Sequence, residues 1–131
     1  MYHEVVTNGA GWIEARQMQV ELAAGAWLLR TAVDTSPVLA GLRQKLGGSG
    51  ESEAIVLAME RSLPVLLDEL AGRREARALG VEAVGSLWVL RQARKRGLIR
   101  KIRPLLGQMI EAGIHYGDDL VEKFLREEGE A

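Results

Sequence analysis

The side chains best suited to chemistry are acidic and lie at intervals along the middle of the chain: Asp34, Glu51, Glu53, Asp68 and Glu69. Hard oxygen donors without imidazole or thiolate suit Mg²⁺ or Mn²⁺, and acidic clusters that hold such ions handle phosphate esters, because the cation offsets phosphate charge and supplies hydroxide. Thiol chemistry is excluded, since the chain has no cysteine. His3 and His115 stand in separate segments without a ligand-spaced partner, so imidazole chemistry is unsupported. The serines lack an accompanying histidine, which leaves no hydrolase triad, and Gly47-Gly48-Ser49-Gly50 lacks the lysine that a phosphate-binding loop needs.

Elements must bring these groups together. Trp12 to Ala24 is rich in helix formers and stops at Gly25, which predicts a helix. Ala26 to Val33 is a short apolar, partly β-branched run without a helical stripe and predicts a strand. Ser36 then reads as a helix N-cap with Pro37 at the first helical position and Val38, Leu39, Leu42 and Leu46 on one face. A capping role competes with any ligand role for the neighbouring Asp34. Glu51 opens the next helix, with Ile55, Val56 and Met59 as its buried stripe beside Ala54 and Ala58.

Leu63 to Leu67 predicts a second strand ending at Asp68-Glu69, Gly72 to Leu79 a short basic helix, and Val81 to Val84 a third strand. Gly85-Ser86 leads into a helix carrying Leu87, Leu90 and Ala93. Pro104 and Gly117-Asp118-Asp119 start two more, with Leu105, Leu106, Met109 and Ile110 on the first and Leu120, Val121, Phe124 and Leu125 on the second. Strands alternating with helices imply a parallel α/β sheet with right-handed crossovers. Ligands of such sheets sit beyond the carboxyl ends of the strands, so the rim of interest holds Asp34 to Ser36, Asp68-Glu69 and Gly85-Ser86, with Glu51 to Glu53 in reach. Two residues two apart on a helix cannot face the same way. The pattern therefore sends Glu53 inward and leaves Glu51 as a solvated first-turn carboxylate.

With 131 residues, 47% hydrophobic and 27% charged, and a net charge of −1, the composition is that of one ordinary soluble domain with no global attraction to polyanions. Its longest apolar run, Ala54 to Met59, is far short of the roughly 20 residues of a membrane helix. A reducing cytoplasm is the default compartment. Locally, Arg91, Arg94, Lys95, Arg96, Arg100, Lys101 and Arg103 put seven of the 17 basic residues within 13 positions, a patch that could follow a phosphate backbone. A solvated helix face is the competing reading, and the acidic tail from Glu122 to Glu130 would counter nonspecific binding. Trp12, Trp27 and Trp88 read as core or interface fillers.

Taken in order, the motifs carry a resemblance. Gly50-Glu51-Ser52-Glu53-Ala54-Ile55-Val56-Leu57-Ala58, Leu66-Leu67-Asp68-Glu69, Gly72-Arg73-Arg74, Leu79-Gly80-Val81, Gly85-Ser86-Leu87, Arg96-Gly97-Leu98-Ile99, Arg103-Pro104-Leu105-Leu106, Ala112-Gly113 and Gly117-Asp118-Asp119-Leu120 together resemble the PIN-domain family of metal-dependent ribonucleases, in its DUF3368 branch. The resemblance implies a three-layer PIN-like α/β fold with a short parallel sheet and added C-terminal helices, as a single domain over 1–131 with 98–131 as a helical extension. It implies Asp68 and Glu53 as ligands of Mg²⁺ or Mn²⁺, Glu69 as an assisting catalytic carboxylate and Ser86 as the group that positions substrate. Single-stranded RNA is the implied substrate, with Arg91, Arg94 and Lys95 as its contacts, and an antitoxin-like protein the implied partner.

Family members begin with a strand ending in Asp or Asn before Thr-Ser-Pro. Here Met1 to Val6 aligns with a later helix, so a strand and its helix, roughly 25–30 residues, are expected to be missing. Asp34-Thr35-Ser36-Pro37 mimics the lost motif but falls in a later loop, where capping explains it. Without the first ligand the reading is an impaired ribonuclease of the toxin–antitoxin type. A chain lacking a central strand must repack or pair with a second copy, which makes a homo-oligomer the expected state. The alternative reading is a non-catalytic interaction module.

Overall fold

A computed structural model describes residues 13–47 and 50–131. The chain is mixed α/β, and its first described element is helix α1 (Ile13–Ala24). The segment that follows, 25–36, is irregular rather than a strand. Its apolar side chains explain why: Trp27 and Leu29 are 71% and 72% exposed, so no core draws them in, and among the described residues no strand pairs with them. The sheet therefore has two strands among the described residues, not three.

Helix α2 (Pro37–Leu46) begins as its sequence dictates. Ser36 is extended at φ −139° and its Oγ accepts the Leu39 amide at 3.2 Å. Helix α3 (Gly50–Arg61) follows, then strand β1 (Val65–Leu66), helix α4 (Leu70–Ala78), strand β2 (Ala83–Val84) and helix α5 (Ser86–Lys95). The strands are parallel, with Val65 opposite Ala83 and Leu66 opposite Val84, and α4 supplies the crossover. Helix α4 starts two residues before the expected Gly72, with Glu69 at its N-cap. Gly80, at φ +76°, takes the left-handed conformation that turns α4 back toward β2.

One apolar core holds α2, α3, α4 and the strands together: Leu39, Leu42, Ile55, Val56, Ala58, Val65, Leu67, Ala76, Val81 and Ala83. Its largest members, Leu39 and Ile55, are fully buried, each contributing about 1.5–3 kcal/mol relative to exposure. The stripe of α3 departs from expectation at Met59, which is exposed, while Ala58 is buried in its place.

Helices α6 (Arg103–Glu111) and α7 (Asp118–Glu127) complete the chain. Ile102, Leu106, Phe124 and Leu125 form a second, smaller core, with Leu87 and Leu90 of α5, Ile99, Tyr116 and Val121 packed on it. Leu120 and Ile110, expected inside, are exposed, as are Trp27 and Trp88. Among the described residues these two cores leave little interior to share, and Trp27 and Trp88 fall outside it. Trp12 and His3 lie outside the described residues.

Candidate site at the carboxyl ends of the strands

Strand β1 runs out at Leu67, and the next residue, Asp68, points across to the start of α5. Its Oδ1 accepts both the Ser86 backbone N–H, at 2.7 Å, and the Ser86 hydroxyl, at 2.8 Å. The carboxylate thus satisfies an amide at a helix N-terminus that its own N-cap, Gly85, cannot serve with a side chain. The hydroxyl of Tyr116 is also bonded to Ser86 Oγ. Because Ser86 has one proton and gives it to Asp68, Tyr116 is the donor. Sequence reasoning brings Asp68 and Ser86 to one rim but misses Tyr116, whose position between α6 and α7 carries no local motif.

The other acidic candidates separate. Glu53 faces α2, where its Oε1 accepts from Arg43 Nη2 at 2.5 Å and Nε at 3.2 Å. Partial burial raises its pKa, but the Arg43 hydrogen bonds and charge outweigh that and hold the carboxyl below its usual range. Its Oε2 is buried without a hydrogen-bond partner. Glu51, expected to be solvated, is half-buried against α4: a Cβ on Gly72 would lie 3.0 Å from its Oε2. Burial, and then the charge of Glu69, push its pKa up. The helix turn that sends Glu53 to Arg43 therefore brings Glu51, not Glu53, toward the Asp68-Glu69 corner.

A cleft of about 330 Å³ opens beside Asp68. Asp68, Arg73 and Gly85 line it from the sheet side, and Trp88, Tyr116, Lys123 and Phe124 from the helical side. Arg73 Nη1 lies so close to Gly85 that a Cβ there would sit 2.9 Å from it and 3.2 Å from Asp68 Oδ1. Gly85 is thus the residue that lets cation and carboxylate share this edge.

Part of the basic run is spent within the protein. Arg91 pairs with Glu127 at 2.8 Å and with Glu128 at 2.5 Å, and stands 5.1 Å from the centre of the Phe124 ring. Hydrogen bonds to the Glu127 side chain, more than the opposing burial, raise its pKa further. Arg94 meets Glu130 at 3.2 Å and Glu128 at 3.7 Å. Lys95 is exposed and has no ion-pair partner among the described residues. Of the three basic residues expected at a nucleic-acid surface, then, one is uncommitted.

Among the described residues no group of three or more His, Asp or Glu side chains could hold a metal ion. Asp68 and Glu69 are exposed at the strand end, while Glu53 is bound to Arg43, so the donor set expected from the sequence does not fit a hard cation. No helix among the described residues is long and apolar enough to cross a membrane. A family model described as "DUF3368: PIN domain" matches residues 1–130. No curated protein and no solved structure matches the chain.

Proposed function

Since the chain belongs to the DUF3368 family of PIN domains, a nuclease-like class, we propose that it is a domain of the single-strand ribonuclease, toxin–antitoxin type whose own cation site is impaired. One observation carries the impairment: the Glu53 carboxylate is engaged by Arg43 at 2.5 Å instead of meeting Asp68. A guanidinium satisfies that carboxylate without a metal, through a charge-assisted pair that a cation would have to displace. Mg²⁺ or Mn²⁺, when bound by PIN domains, supplies Lewis acidity and an ionised water. Here Asp68 and Glu53 are the residues that would hold such an ion, with Glu69 as the assisting carboxylate. What the chain's own groups do is hold an edge: Asp68 orients the Ser86 hydroxyl, and Tyr116 donates to it.

Single-stranded RNA is the polyanion this reading assigns, with Lys95 among the cations of the basic run that have no ion-pair partner among the described residues. The domain is taken as a single unit over 1–131, with 98–131 as its helical extension.

Titration with Mn²⁺, following both thermal stability and cleavage of single-stranded RNA, tests the proposal. The expected result is no rise in Tm and only residual cleavage. A rise of several degrees together with cleavage that Asp68→Ala abolishes would overturn it. A second reading, a non-catalytic interaction module for an antitoxin-like segment or another copy, is favoured by the exposed apolar side chains of Ile13, Val20, Trp27 and Leu29.

A further inference from the structure

Three cations, Arg73, Arg91 and Lys123, line the cleft beside Asp68, against the two carboxylates of Asp68 and Glu127. Arg91 is neutralised by Glu127 and Glu128. Asp68 is engaged by Ser86, where the α5 N-terminus faces it. Two cations are left over. Arg73 has no hydrogen bond or ion pair among the described residues, and its Nε is buried without a partner. Lys123, across the cleft on α7, has no ion pair there either. The part of Arg73 that an incoming acceptor can meet is its Nη1, which lies at the cleft edge beside Gly85.

The rest of the lining specifies what that acceptor is attached to. Trp88, the only tryptophan among the lining residues, is 45% exposed, and Tyr116 also lines the cleft. A planar base stacks on such a surface regardless of its identity. The volume, about 330 Å³, is at the small end of the range for ligand sites, the size of one nucleotide rather than of a folded partner. We propose that this cleft binds a phosphate monoester carried on a nucleobase, with Arg73 and Lys123 on the phosphate and Trp88 on the base, and that it does so without a metal ion. The planar Arg73 fork can meet two phosphate oxygens at once, and Lys123 adds a second cation without an ion pair of its own. Gly85 keeps the Arg73 guanidinium at the cleft edge, since a side chain there would displace it.

The ligand is either a free nucleotide or the phosphorylated end of a strand, and the same chemistry serves both. The test is calorimetric titration of the full chain in EDTA with AMP, adenosine, a 5′-phosphorylated tetranucleotide and its unphosphorylated twin. Binding of AMP or of the phosphorylated tetranucleotide, with the phosphate-free partner at least about tenfold weaker, is the expected result. Which of the two phosphorylated ligands binds tighter identifies the source. Lys123→Ala, on an exposed side chain that carries no packing, is expected to weaken binding about tenfold, and Trp88→Ala to weaken the nucleotide but not inorganic phosphate. Equal binding with and without the phosphate overturns the assignment. So does binding that appears only when Mn²⁺ replaces EDTA, an outcome that would also count against an impaired cation site. Loss of RNA cleavage in Mn²⁺, by contrast, leaves the metal-free titration unaffected, so the two proposals fail separately.

Discussion

The two cores hold their helices by different physics. Around the strands, ten buried apolar residues from α2, α3, α4, the two strands and the residues flanking them form one interior, and the ion pairs there, Arg43–Glu53 and Lys45–Glu75, sit at its margin with exposed partners. The C-terminal helices have only four such residues, and compensate with polar ties to the chain end. Glu130 accepts the Ile102 amide at 2.9 Å and the Arg103 amide at 3.0 Å, so a carboxylate from the tail caps α6, and Arg91 and Arg94 draw Glu127 and Glu128 onto α5. Apolar burial carries no titratable group and is not weakened by charge screening, whereas charge-assisted ties are. The same sequence therefore contains a region that ordinary conditions leave untouched and one that solution chemistry can loosen.

Ile55→Ala should show the largest effect. Ile55 is 0% exposed at the centre of the sheet-side core, and removing its side chain leaves a cavity there, at a cost of about 2–5 kcal/mol in denaturant unfolding. Hydrogen exchange should then accelerate across residues 37–84. If Ile102→Ala, equally buried but among only four core residues, costs the same and accelerates those same amides, the contrast between the regions is lost.

Glu130→Gln ranks next. The amide retains an acceptor oxygen but not the charge, so α6 loses part of its cap, about 1 kcal/mol. Its pH dependence has a definite sign. The Ile102 and Arg103 amides hold the Glu130 carboxyl below its usual range, so its folded pKa is depressed relative to the unfolded chain. The stability it contributes is present above the ordinary glutamate range and is lost as pH falls through the folded value. On the sheet side Glu51 is shifted up and Glu53 down, and these two oppose one another. Acid should therefore loosen the C-terminal helices first, and Glu130→Gln should remove that step. Exchange rates of the α6 amides measured from neutral pH into the acid range would read it; an α6 that opens no earlier than α3 in the unmodified protein would count against the comparison.

Much of this was readable in the chain, and unevenly. Where a local rule decides, the reading holds: Ser36 caps α2 and Pro37 starts it. It fails where tertiary partners decide. The run 26–33 has strand composition, but a strand exists only with a neighbour to bond, and among the described residues it has none. The candidate site shows the same division. Asp68 and Ser86 are placed on one rim by strand-end logic and do meet, whereas Arg43, ten positions from Glu53, and Tyr116, thirty from Ser86, are partners that no spacing rule announces. Glu51 and Glu53 were separable as opposite faces, yet which face met the strand end depended on how α3 rolls against α2 and α4.

The helix ends give the smallest and most local form of the contrast. Six of the described helices are followed by a glycine at positive φ: Gly25, Gly47, Gly80, Gly97, Gly113 and Gly129. Helix α3, which supplies Ile55 and Val56 to the larger core, is the one that ends on a side chain instead, Ser62 at φ +52°. The chain closes there as in the others, with the Ser62 amide on the Met59 carbonyl at 3.3 Å and the Leu63 amide on the Ala58 carbonyl at 2.9 Å. A side chain in that conformation costs about 1 kcal/mol, which the burial of α3 can absorb and the sparsely packed C-terminal helices could not. Ser62→Gly should therefore raise stability by about 0.5–1 kcal/mol, part of the relief being offset by the greater freedom of glycine in the unfolded chain. The reciprocal change, Gly113→Ser, should lower it by a similar amount and open α6. Equal and negligible shifts in the two denaturation curves would mean that the strain at Ser62 is not what the larger core is carrying.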